Sequence, residues 1–174
     1  GFNVLIKPFD STNLADANNA EHTLNQYLLY VLLSYPRGSV RVNFIDPNFV
    51  GLSGAFMDIV GDAKKPSLCR LLQNQSEIDY CLAHEMPKRM ADINQMGDRY
   101  YQNNPKYEIF VMVNYPQSYQ NNSNNLNMLI ERGAQFGIQF VVLHDINTPT
   151  GDYNTYNILS RQNLFSIPIV SLTR

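Results

Sequence analysis

The runs YEIFVMV, residues 107–113, and IQFVVLH, residues 138–144, are apolar at nearly every position rather than at every second one. A strand with one wet face alternates apolar and polar side chains, whereas a strand covered on both faces has no need to. Both runs therefore read as inner strands of a parallel sheet with helices on each side. Residues 3–7, 40–45 and 166–172 have the composition of three further strands.

Helical patterns fill the intervals. Over residues 16–34, Leu24, Leu28, Val31 and Leu32 follow the i, i+4, i+7, i+8 spacing of one buried face. Asp16 or Asn18 can cap that helix, and Pro36-Arg37-Gly38 ends it. A longer segment starts at Ser76, where Ser76 and Asp79 resemble a capping box. Leu82, Met86, Met90, Ile93 and Met96 continue one face of it. Pro87 must kink or split this segment, since it lacks an N–H and its ring collides with the Ala83 carbonyl. A third helix, residues 123–135, carries Leu126, Leu129 and Ile130 and stops at Gly137. A short helix is expected between the fourth and fifth strands. The alternation predicts a single three-layer α/β domain over residues 1–174, with right-handed crossovers.

Composition narrows the function classes. Lys and Arg number 13 against 15 Asp and Glu, for a net charge of −2. Arg37, Arg41, Lys64 and Lys65 are scattered, so no basic field exists to grip a phosphate backbone. The longest apolar run, Tyr27 to Leu33, is far shorter than the ~20 residues of a membrane span. Cys69 and Cys81 form no Cys-x-x-Cys pair and read as reduced structural thiols, the usual state in cytoplasm. The chain opens on Gly1 with neither an initiator Met nor a signal peptide, which suggests a cytoplasmic piece of something longer.

In a parallel sheet, ligands bind beyond the carboxyl ends of the strands. After the first strand the chain runs from Lys7 through Asp10 to Asp16 with no glycine between Gly1 and Gly38, and no Gly-Lys pair occurs anywhere. A phosphate loop needs glycines that let successive N–H groups turn inward, and a lysine. Asp10 and Asp16 instead complement a helix N-terminus and repel phosphate. The second strand ends in Asp46-Pro47, read as a structural turn. The third ends in Asn114-Tyr115, where an ATPase would carry a magnesium-holding Asp. The fourth ends in His144-Asp145, the pair best suited to sensing a ligand or moving a proton. His22 and His84 lack zinc-site spacing, and Gly51-Leu52-Ser53-Gly54 falls one residue short of a nucleophile elbow.

Several of these features resemble the RecA-like motor domain of the FtsK and SpoIIIE DNA translocases, within the FtsK–HerA group. They are Phe44-Ile45-Asp46-Pro47, then Glu85-Met86-Pro87-Lys88-Arg89-Met90, then Arg132-Gly133-Ala134-Gln135-Phe136-Gly137-Ile138, in the family's order. The resemblance implies a P-loop-NTPase-like (RecA-like) domain with a mostly parallel five-stranded sheet, ordered fifth, first, fourth, third, second. It implies a degenerate Walker A position at Lys7, Asp10 and Asp16, a degenerate Walker B position at Asn114 and Tyr115, and a sensor-like His144. It further implies a non-catalytic ATPase-like module with no catalytic residue, metal ligand or bound cofactor of its own. Its expected partners are other ATPase-like domains of the same or sister chains, with DNA reached only through the parent protein and no membrane segment in this piece. Two alternatives stand beside it. One is an active translocase of double-stranded DNA using ATP and magnesium. The other is an unrelated α/β small-ligand enzyme using Asp10, Asp46 and His144.

Overall fold

The computed structural model describes residues 3–47, 51, 53–59, 68–115, 123–147 and 165–167. Its strands are β1 (Val4–Phe9), β2 (Val40–Ile45), β3 (Cys69–Leu72), β4 (Tyr107–Tyr115), β5 (Ile138–Asp145) and β6 (Phe165–Ile167). They form one sheet in the order β3-β2-β4-β5-β1-β6, and every neighbouring pair is parallel. The five expected strands occupy the expected order, β6-β1-β5-β4-β2. The sheet has a sixth strand, β3, at its outer edge, which corrects the five-strand expectation. Its four residues are too few for a periodic signal, and Arg70 interrupts them. The remainder of the expected fifth strand and the short helix before it lie outside the described residues.

One face of the sheet is covered by α1 (Leu14–Ser34). Leu24, Leu28 and Val31 pack there on Val4, Ile6, Val42, Phe44, Val111 and Val141 in one continuous apolar cluster. A 3-10 turn, Gly54–Ile59, adds Phe56, whose ring lies 5.6 Å from that of Phe44. The helix starts two residues earlier than expected because Asn13, rather than Asp16 or Asn18, caps it. The Asn13 side chain accepts the N–H groups of Ala15 and Asp16.

The opposite face carries α2 (Gln75–Tyr80), a π-helical turn (Cys81–Glu85), α3 (Met86–Met96) and α4 (Ser123–Arg132). Ile78, Leu82, Met86, Leu126, Leu129 and Ile130 bury Phe110, Met112, Phe140 and Val142 of the central strands. Each fully buried side chain of this kind stabilises the fold by about 1.5–3 kcal/mol. The cap of α2 is Asn74, which accepts the Ser76 N–H, so the Ser76–Asp79 capping box does not form. Asp79 instead accepts a hydrogen bond from the Gln75 amide.

Pro87 splits the long helix as its chemistry requires. The preceding turn widens, so that the Met86 N–H reaches the Cys81 carbonyl, and Pro87 sits in the first turn of α3, where no N–H is needed. Arg89 is buried, whereas Met96, expected on the apolar face, is exposed.

After α4, a 3-10 turn (Gly133–Phe136) leads to Gly137 in the left-handed region at φ +71°. A Cβ at Gly137 would stand 2.1 Å from the Lys106 carbonyl oxygen, so only glycine lets the chain approach the start of β4 this closely. Among the described residues no helix is long and apolar enough to cross a membrane.

Candidate functional site

Parallel strands place the ends of β2, β4, β5 and β1 along one edge of the sheet. Phe9 stands opposite Asp145, and Tyr115 opposite His144, so the ends of β1 and β4 flank the end of β5. Asp10, Asp145 and His144 meet at this edge. Asn114 and Tyr115 close β4 there, and Lys7 lies within β1, but the side chains of these three fall outside the described residues.

The turn from β1 into α1 has its backbone donors engaged by its own neighbours. The Asp10 N–H donates to Asp16 Oδ2 at 2.6 Å, the Ser11 N–H to Asp145 Oδ1 at 3.2 Å, and the Thr12 N–H to Asp10 Oδ1 at 2.9 Å. The Asn13 N–H donates to the Asp10 carbonyl, and those of Ala15 and Asp16 to Asn13 Oδ1. Asp10 Oδ1 also accepts from the Thr12 hydroxyl and the Asn147 amide, both at 2.6 Å. Asn147 donates as well, through its backbone and its side chain, to Asp145 Oδ1. A phosphate loop aims such N–H groups at an anion. Here protein carboxylates and an amide oxygen already occupy that role.

The electrostatics agree with the geometry. The Thr12 hydroxyl and then the Asn147 amide hold the Asp10 carboxyl below its usual range. Burial pushes Asp145 upward, but the hydrogen bonds from Ser11 and Asn147 together outweigh it and hold the carboxyl low. Burial lowers the His144 pKa below 6.5 against the pull of the Asp145 charge, which keeps the imidazole neutral at physiological pH. Among the described side chains, anionic carboxylates beside a neutral imidazole make this edge a poor partner for a triphosphate. Asp46 is fully buried at the end of β2, and its Oδ2 accepts the Gly51 N–H at 2.8 Å. It closes its own loop, and Gly51 adopts φ +85° to meet it.

No family model, no curated protein and no solved structure matches the chain.

Of the residues singled out in the sequence, the structure brings Asp10 and Asp16 into one hydrogen-bonded turn and sets His144 beside Asp145 at the same edge. Asn13 and Asn147, not singled out in the sequence, carry as much of this arrangement as Asp10, Asp16 and Asp145 do. Their signal was local. Asp10-x-Thr12 and Asp145-x-Asn147 each have the spacing of an Asx turn, in which a carboxylate accepts the N–H two residues on. Among the described residues no cluster of three or more His, Cys, Asp or Glu is placed to hold a metal ion.

A second polar cluster lies within the sheet and beneath the π turn. Glu108 of β4 is buried, accepts from the Asn43 amide at 2.9 Å, and faces Arg41 at 3.5 Å and Arg89 at 3.9 Å. Arg70 donates to Asn43 Oδ1, to Glu85 Oε2 and to the Cys81 sulfur. Arg89 donates to the carbonyls of Phe136, Pro105 and Lys106, and its guanidinium lies 5.3 Å from the Tyr100 ring centre. Burial pushes the Cys81 thiol up to about 12 and the Cys69 thiol up to about 11, so neither is a nucleophile at neutral pH. These are structural groups that tie β2, β3 and β4 to the helices.

Proposed function

We propose that this chain is a non-catalytic, ATPase-like module of a larger FtsK/SpoIIIE-type protein, working in the cytoplasm in assembly or regulation. It docks against other ATPase-like domains of the same or sister chains, and DNA is reached through the parent protein.

The observation that carries this reading is the self-satisfied turn between β1 and α1. Its N–H groups are held by Asp10, Asp16, Asp145 and Asn13. To cradle a phosphate the turn would have to break several charge-assisted hydrogen bonds and bring an anion against three carboxylates. Asn114, neutral where a magnesium carboxylate belongs, supports the same reading from the neighbouring strand. Asp10 and Asp46 each cap a separate loop, which weighs against their convergence as an acid–base pair.

The test is a thermal melt of the whole chain with and without Mg·ATP and Mg·ADP. A ligand at 100 times its Kd would stabilise the native state by about 2.7 kcal/mol, a readily measured rise in Tm. The expected outcome is no rise at millimolar nucleotide. A saturable rise would overturn the proposal.

A further inference from the structure

We infer that a tyrosine-walled hollow beside α1 binds a flat, uncharged compound of two fused aromatic rings that carries a hydrogen-bond acceptor. The inference goes beyond the proposed function and does not rest on it. The hollow lies at the edge where the strands begin, opposite the edge that holds Asp10 and Asp145.

Three strand starts meet there, since Val4 opens β1, Tyr107 opens β4 and Ile138 opens β5. The space between them and the second half of α1 is about 340 Å³. Val4, Ile109 and Ile138 are buried and give it an apolar floor. Tyr27, Tyr30, Tyr35 and Tyr107 give it aromatic walls. Tyr35 and Tyr107 pack as one pair, with ring centres 4.8 Å apart and planes at 52°. Ala134 and Gly137 complete the lining, and their small size leaves open the room that larger side chains would fill.

Polar groups converge on this apolar space. The Tyr27 hydroxyl accepts from the Gln139 amide at 3.1 Å, which leaves its own O–H as a donor. Burial raises the Tyr27 pKa, the Gln139 bond offsets part of the rise, and the nearby Tyr35 hydroxyl adds to it. Tyr27 therefore keeps its proton at physiological pH. Apolar and aromatic walls with a few fixed polar groups are the composition of a small-molecule site.

The lining selects the occupant. Among the described residues no charged side chain lines the hollow, so an ion entering it would shed water without gaining a partner. A cationic ligand meets a further obstacle, because the Lys106 ammonium already stands 5.8 Å from the Tyr107 ring centre. Flat rings stack on tyrosine faces, and an acceptor on such a ring takes the Tyr27 proton. A dry cavity of ~150 Å³ holds benzene, and the larger volume here gives room for two fused rings.

Titration of the isotope-labelled full chain with indole-3-carboxamide, followed by NMR, tests the inference. Indole-3-carboxylate, an anion of the same shape, and tetramethylammonium serve as comparisons. The expected result is saturable shifts centred on residues 27–35, 107–109 and 134–139. The carboxylate should bind at least about tenfold more weakly, a difference of ~1.4 kcal/mol. Tyr27→Phe should weaken carboxamide binding by about three- to tenfold, through the lost hydrogen bond. Ser34→Trp, at an exposed position on the rim, should crowd the hollow and abolish binding while the spectrum stays that of a folded protein. Absence of saturable shifts, shifts centred elsewhere, equal binding of the carboxylate, preference for tetramethylammonium, or binding unchanged by both substitutions would each overturn it. Nucleotide is judged separately, since Mg·ATP bound at the carboxyl edge would refute the proposed function and leave this site standing.

Discussion

Asp145 and His144 are adjacent in sequence but titrate for opposite reasons, and both make the fold sensitive to acid. His144 has its pKa depressed in the folded state by burial. As pH falls below 6.5 the unfolded chain takes up this proton before the folded chain does, so stability declines through that window and is constant above it. Asp145 and Asp10 have carboxyls held below the ordinary value of 3.8. Their contribution is fully present above that value and is lost as pH falls through the lower folded one. Tm measured against pH should therefore drop in two stages. His144→Gln should remove the upper stage only. Asp145→Asn should shrink the lower one and destabilise the protein at pH 7 by about 1–2 kcal/mol, through the weakened bonds to Ser11 and Asn147. A single acid transition unchanged by either substitution would contradict this account.

Among the elements, the attachment of α3 to the segments that lead into β4 and β5 depends on one side chain. Arg89 donates to three backbone carbonyls from two different loops and stands beside buried Glu108. Arg89→Met would keep most of the volume but leave those carbonyls and a buried carboxylate without their cation. The expected loss is about 3–5 kcal/mol, read as a lower urea midpoint. Arg89→Lys should recover little, since one ammonium cannot span the positions that the guanidinium fork reaches. Recovery to within the error of the melt would show that only charge matters there. The helix break itself was legible, because proline's missing N–H acts locally. The burial of Arg89 was not. Its position three residues after Met86 is on the inward face, but a charge is held there only by carbonyls 16 to 47 positions away, which no periodicity announces.

At the scale of the molecule, stability should be graded across the sheet. β4 and β5 lie in the middle of the strand order and are covered on both faces, whereas β3, four residues long, pairs on one side only among the described residues. Hydrogen exchange should be slowest in residues 109–112 and 139–143, approaching global unfolding, and much faster in β3. Equal protection in β3 would mean that something covers this edge in solution, such as the strand pairing to which open edges are prone.

Patterning determined the layers of this protein. Continuous apolar strands alternating with 3.6-period helices leave a helix-covered parallel sheet as the arrangement that buries both faces, and the lack of a Gly-rich, lysine-bearing turn was equally plain from the residues alone. Tertiary structure alone decided how the turn after β1 is held. Asp10 and Asn147 stand 137 positions apart, and Ser11 and Asp145 stand 134 apart. They meet only because β1 and β5 are paired in a register that brings Phe9 opposite Asp145. Short-range chemistry is written in neighbouring residues, whereas a hydrogen bond between distant ones exists only after the sheet has set the distance between them.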